Sequence, residues 1–170
     1  MRKLTTIKRE IEINQSTDKV WKALADFGHI CHGHPAVSKS FITSTQKEGV
    51  GATRHCDFTM MGASAEEKVT EWNEGKNIKI EVTELNKMPG IKTMALDLAI
   101  RQNSDKTILS STMSYGMKNR FFDVMNSLIM KKMNAKLLDG IMAGHKLYIE
   151  TGTIVTEKTK LDVSEVKKIS

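Results

Sequence analysis

Residues 118–150 read KNRFFDVMNSLIMKKMNAKLLDGIMAGHKLYIE, a stretch without proline. Its apolar residues recur mostly in steps of three and four, which predicts one face of an α-helix. They are Phe121, Phe122, Met125, Leu128, Ile129, Met133, Leu137, Ile141 and Tyr148. Such a helix would span roughly 50 Å, too long for the middle of a small domain, so we expect it to lie across a broad surface. Its methionines are either ordinary core or the lining of an adaptable apolar interior.

The preceding segments read as extended strands, and most of them show the alternation of apolar and polar residues that is typical of half-buried β-strands. They lie at residues 4–14, 37–44, 52–60, 63–72, 77–85, 92–102 and 107–116. Residues 17–27 predict a short amphipathic helix, with Ser16 or Thr17 as its N-cap and Gly28 at its end. Short turns between consecutive strands indicate an antiparallel sheet. The predicted fold class is therefore α+β.

Composition indicates one globular domain, with 39% hydrophobic and 27% charged residues. We predict a domain over residues 1–150 and a basic, mobile tail over 151–170. Cys31 and Cys56 are too few for a disulfide framework. No secretory signal or membrane-spanning run is apparent, so we expect cytoplasmic residence without stable membrane insertion. The net charge of +6 is scattered along the chain, and we expect no nucleic-acid partner.

Four segments carry a family resemblance. They are Ser16–Phe27, His34–Ser40, Gly49–Arg54 and Glu66–Trp72. In this order and spacing they resemble the START-like (SRPBCC) superfamily, in particular its polyketide cyclase/dehydrase and lipid-transport branch, over residues 4–149. Plant pathogenesis-related proteins and pollen allergens share that fold. The resemblance implies a helix-grip fold, in which a seven-stranded antiparallel sheet curls around the long carboxy-terminal helix and leaves an apolar cavity.

That cavity would bind a small hydrophobic ligand, lipid-, sterol- or polyketide-like, through the inward strand residues and one face of the helix. The strand positions depend on a choice of register, since a slip of one residue reverses the face. We predict as ligand-binding Arg54, Cys56, Phe58, Val69, Ile80, Val82, Met94, Leu96, Leu98, Met113, Tyr115, Phe122, Met125, Ile129 and Met133. The alternative is that these residues pack into a dry core. No cofactor is predicted.

Arg54 is the charged member of this otherwise apolar face. A buried guanidinium needs an anion. It could hold a ligand carboxylate or phosphate, or pair with a strand glutamate such as Glu71.

A second set, His29, Cys31, His32 and His34, has donors suited to a transition metal. The four residues lie too close together to match an established zinc spacing, so any metal would need help from His55 or His145. We therefore predict no metal site and interpret the segment as a polar loop. Gly140 and Gly144 could form a hinge or permit close packing.

Enzymatic activity is left open by the sequence. A cyclase or dehydratase needs a placed acid and base, and His55, Asp97, Tyr115, Glu71 and the thiol of Cys56 are available. No spacing among them demands chemistry, and no nucleophile, phosphate-loop or dinucleotide motif is present. We therefore favour a binding or carrier protein over a cyclase-type enzyme or a ligand-free interaction module.

Overall fold

The structure, a computed structural model, describes residues 4–60 and 62–170. Residues 1–3, which entered the prediction about a secretory signal, lie outside the described residues. The elements are β1 (Thr5–Ile13), α1 (Thr17–Ala25), a 3₁₀ helix (Phe27–His32), β2 (Val37–Ile42), β3 (Thr53–Phe58), β4 (Ser64–Asn73), β5 (Asn77–Asn86), β6 (Ile91–Asn103), β7 (Lys106–Met117), α2 (Arg120–Met125), a π-helical turn (Asn126–Met130), α3 (Lys131–Thr151) and β8 (Lys167–Lys168). This order confirms the predicted α+β class.

The strands form one antiparallel sheet in the order β2-β3-β4-β5-β6-β7-β1-β8. The seven predicted strands are present, and the two-residue β8 is an eighth. One row of directly opposed residues crosses β3 to β7. It runs Arg54, Glu67, Val82, Met94 and Tyr115. Opposed residues share a face of the sheet, so this row defines the inner face.

The long helical segment follows β1 across that inner face. Tyr115 donates a hydrogen bond to Asn126 Oδ1 (2.7 Å), and Asn126 Nδ2 donates to Thr5 Oγ1 (2.8 Å). Farther along, Asp139 pairs with Arg9 of β1. The sheet therefore holds the helix by buried polar contacts as well as by apolar packing, and the helix-grip arrangement is confirmed.

The helical segment does not present one uniform apolar stripe to the sheet. Met125 and Met130 are half-buried, whereas Ile129 and Met133 are 50% and 62% exposed. The π-helical turn at Asn126–Met130 causes this difference, because it adds a residue to the turn and rotates the residues before it relative to those after it. The prediction that Ile129 and Met133 face the interior is therefore wrong.

The carboxy-terminal segment lies against the domain. Gly152 ends α3 in the left-handed conformation (φ 76°). Val155 is 2% exposed, and its backbone N–H donates to the His32 carbonyl oxygen at 2.9 Å. β8 then pairs with β1. We predicted a mobile tail, but the buried side chain of Val155 and the strand pairing attach the segment to the fold.

Candidate functional site

Arg54 and Glu67 form a largely buried ion pair at the polar end of the inner row. Arg54 is 4% exposed, and its Nε donates to Glu67 Oε2 at 2.6 Å. Its Nη1 donates to the Phe27 carbonyl oxygen at 2.9 Å, and the guanidinium lies 4.1 Å from the centre of the Phe27 ring. The structural alternative for Arg54, an ion pair with a strand glutamate, is therefore present. The partner is Glu67 and not Glu71, because the register places Glu67 directly opposite.

Two histidines lie close to this pair. His145 of α3 is 4% exposed, and within the described part of the chain its Nε2 has no hydrogen-bond partner. Burial, together with the positive charge of Arg54, lowers the pKa of His145 to about 4. Burial first, and then His145 and Arg54, lowers the pKa of His34 to about 3. Both imidazoles are therefore neutral at pH 7.

Close backbone approach explains why His145 is buried. A Cβ atom on Gly144 would lie 2.4 Å from the Gly33 carbonyl oxygen, so only glycine lets the loop before β2 reach α3. A Cβ on Gly33 would in turn lie 2.6 Å from His145 Nδ1. Gly144 thus serves close packing. The sequence alone suggests His145 only as a possible additional metal ligand, although the neighbouring Gly140 and Gly144 are a usable signal of close packing there.

The predicted ligand-binding residues divide by burial. Cys56, Val69, Ile80, Leu98, Met113 and Tyr115 are buried, and Phe58, Val82, Met94, Leu96, Phe122 and Met125 are half-buried. Most of them belong to one apolar core cluster, so the protein's own side chains occupy much of the interior. A separate cleft of about 770 Å³ lies between α1, the 3₁₀ helix and β2, and none of the predicted residues lines it.

The histidine-rich loop does not assemble a metal centre. His29 Nδ1 contacts Asp26 Oδ1 at 2.7 Å, and the His29 and His32 rings stack with centres 5.2 Å apart. His32 Nδ1 lies 3.3 Å from the Tyr148 hydroxyl oxygen. Across residues 4–60 and 62–170, no group of three or more His, Cys, Asp or Glu side chains could hold a metal ion.

The candidate acids and bases are split between the two faces of the sheet. His55 and Asp97 alternate with inner-row residues and lie on the outer face. The irregularity between Val69 and Glu71 places Glu71 opposite Lys79, on the outer face as well. Hydrogen bonds to Glu66 and then Asp57 raise the pKa of His55. These three side chains therefore cannot act on a substrate in the interior.

The two candidate catalytic groups on the inner face are the Cys56 thiol and the Tyr115 hydroxyl, and neither is available for catalysis. Burial, reinforced by the negative charge of Glu67, raises the pKa of Cys56 to about 12, so the thiol stays protonated and is a poor nucleophile. The Tyr115 hydroxyl already donates to Asn126. The candidate site is therefore an apolar interior with neutral imidazoles and a satisfied ion pair at one end, a composition suited to binding.

Comparisons with known proteins agree with this architecture. A START superfamily protein from Mycobacterium smegmatis superposes with a TM-score of 0.72 at 14% identity, covering 87% of this chain and 99% of that one. The major latex-like protein 151 from Panax ginseng gives a TM-score of 0.70 at 11% identity, covering 85% and 97%. At such identities these similarities show the fold alone. No curated protein matches the chain.

The described residues contain no helix long and apolar enough to cross a membrane. The family model described as polyketide cyclase / dehydrase and lipid transport matches residues 5–150. The match includes every strand from β1 to β7 and nearly all of α3. The chain therefore belongs to the polyketide cyclase/dehydrase and lipid-transport family.

Proposed function

We propose that this protein binds a small, largely apolar molecule with a neutral polar end, in the interior between the sheet and the helical segment. The observation that supports the proposal is the buried Nε2 of His145, which has no hydrogen-bond partner among the described residues and lies at one end of a methionine-containing apolar interior. A buried polar atom without a partner costs about 1–3 kcal/mol. A ligand hydroxyl or carbonyl would remove that cost.

The apolar end supports a ligand body of variable shape. Met94, Leu96 and Phe122 are half-buried and pack against the apolar core cluster, and Val82, directly opposite Met94, is half-buried too. Methionine is unbranched and adapts to irregular partners, so Met94 and Met130 can change rotamer to make room for a ligand. Binding therefore proceeds by displacement of side chains.

The charges near the interior favour a ligand with a neutral polar end over a ligand with a carboxylate. The positive charge of Arg54 is already compensated by Glu67, and His34 and His145 are neutral at pH 7. A ligand carboxylate would bring a second negative charge near Glu67, whose guanidinium partner Arg54 is already engaged. We therefore assign Glu67, and not a ligand carboxylate or phosphate, as the partner of Arg54. Separation of the acid and base candidates gives no support to a cyclase reaction.

Native mass spectrometry after gentle purification tests for a co-purified molecule. Displacement of a hydrophobic dye by a long-chain alcohol, the matching fatty acid and the matching alkane then tests the polar end. We expect the alcohol to bind most tightly and His145→Leu to abolish its advantage over the alkane. Leu96→Trp, which fills the interior, should prevent binding, whereas Phe41→Trp at a 43% exposed position should not. A parent protein that takes up neither dye nor ligand contradicts the proposal.

A further inference from the structure

The outer side of the helical segment carries an apolar stripe that is largely exposed to solvent. Phe121, Val124, Leu128 and Met133 are 67%, 58%, 62% and 62% exposed. Their spacings are three, four and five residues, and the five-residue step crosses the π-helical turn, where the period lengthens. The turn thus keeps these large side chains on one outward stripe.

Positive charge is concentrated on the same segment. Residues 118–136 contain five exposed basic residues and one acidic residue, a net of +4 out of +6 for the whole chain. The basic residues are Lys118, Arg120, Lys131, Lys132 and Lys136, and the acidic residue is Asp123. The charge that seemed scattered along the sequence is therefore largest beside the exposed apolar stripe.

We propose that this amphipathic surface, Phe121–Met133 with its basic flanks, docks onto an anionic lipid bilayer. Apolar side chains flanked by lysine and arginine are the composition that lies in a membrane interface, with the apolar groups at the acyl boundary and the cations at the head groups. No spanning helix is needed. The surface is independent of the interior site, so the proposal does not rest on the ligand.

The alternatives fit the same observations less well. A second copy packed on the stripe would bring two segments of net charge +4 together, and like charges oppose such a contact. A nucleic-acid backbone would satisfy the cations but would leave Phe121 and Leu128 without apolar partners. An anionic bilayer satisfies both sets of side chains.

A second part of the surface borders the stripe at the start of α2. The Phe122 ring packs over Gly90 in the turn between β5 and β6, where a Cβ atom would lie 2.6 Å from Phe122 Cδ1. Lys87 in the same turn approaches Gly62, close to Met60, which is 59% exposed. An exposed methionine and a lysine thus extend the apolar and cationic character to neighbouring loops.

Co-sedimentation of the full chain with sucrose-loaded vesicles tests the proposal. We expect binding to phosphatidylcholine vesicles containing about 30 mol % phosphatidylglycerol and at least about tenfold weaker binding to phosphatidylcholine alone. Raising the salt from about 0.1 M to about 0.5 M should weaken binding, because the Debye length falls. Absence of sedimentation with anionic vesicles would overturn the proposal.

Two matched pairs of variants locate the surface. Phe121→Asp/Leu128→Asp should reduce the partition coefficient at least about tenfold. Val50→Asp/Ile154→Asp, at positions 60% and 57% exposed, makes the same charge change elsewhere and should have a clearly smaller effect. Equal losses in the two variants would refute the assigned surface, and unchanged circular dichroism excludes unfolding.

The second pair tests the cations alone. Lys131→Gln/Lys132→Gln should weaken vesicle binding more than Lys158→Gln/Lys160→Gln. If light scattering shows a dimer that Phe121→Asp/Leu128→Asp dissociates, the surface binds a second copy of the chain and the bilayer proposal is wrong. The interior variant Leu96→Trp should still sediment with vesicles, so loss of ligand binding and loss of docking are separate outcomes.

Discussion

Replacing His145 with leucine should remove part of the protein's sensitivity to acid. The ring is 4% exposed, and burial together with Arg54 lowers its pKa from 6.5 to about 4. When the folded pKa of a histidine is below the unfolded value, the unfolded chain binds the proton first as the pH falls. The neutral His145 therefore makes its full contribution to the free energy of unfolding above about pH 6.5. This contribution is lost progressively as the pH falls to about 4.

The expected loss of stability follows from the pH range between the unfolded and folded pKa values of His145. At about pH 4.5 the solution is about two pH units below the unfolded pKa, and each unit corresponds to about 1.4 kcal/mol. The free energy of unfolding should therefore fall by about 3 kcal/mol more in the parent than in His145→Leu between pH 7.5 and pH 4.5. His34, whose pKa is lowered in the same direction, is present in both proteins, so its contribution largely cancels.

Urea unfolding followed by far-ultraviolet circular dichroism at both pH values measures the difference. His29→Gln is the control, since it removes an exposed histidine on the 3₁₀ helix and leaves the interior unchanged. The control should keep the acid loss of the parent. If His145→Leu loses as much stability as the parent, to within about 1 kcal/mol, then His145 is protonated in the folded state. The polar end of the interior would then be hydrated and not dry, which would refute the proposed site.

Three further predictions test the packing and chemistry of the interior. Gly144→Ala should lower the free energy of unfolding by about 1–3 kcal/mol, because its methyl group would overlap a loop carbonyl oxygen. The control Gly140→Ala, where the nearest atom is 3.7 Å away, should be neutral or stabilising in the same denaturation assay. Arg54→Leu should cost about 3–5 kcal/mol in urea unfolding by leaving Glu67 buried and unpaired, and Arg54→Leu/Glu67→Leu should recover much of that loss. A thiol reagent should spare Cys56 in the native protein and modify it in urea, and rapid native labelling of both cysteines would contradict the buried thiol.

The features that the sequence predicts well are those set by local alternation. The face shared by Arg54, Val82 and Met94 follows from a period of two along each strand and from the meander of neighbouring strands. The partner of Arg54 could not be predicted, because it depends on the register between β3 and β4. That register places Glu67, and not Glu71, opposite the guanidinium.

The burial of His145 has a different origin. It depends on the loop at Gly33, which is distant in sequence and reaches α3 only because Gly144 lacks a side chain. Periodicity within the helix contains no information about that loop. Residue spacing therefore identified the helix but could not identify the polar end of the interior.

The π-helical turn links the inner and outer roles of the helical segment. Asn126 begins the turn and is held from the sheet side by Tyr115 and Thr5. The extra residue lets Asn126, at the start of the turn, and Leu138, in α3, both be buried, while Leu128 and Met133 both remain exposed. A continuous α-helix would rotate one side of the segment by about 100° relative to the other, so it could not satisfy both arrangements. The π-helical turn, which leaves Ile129 and Met133 outside the predicted inward stripe, thus allows one helical segment to cover the interior and to present an apolar surface outside.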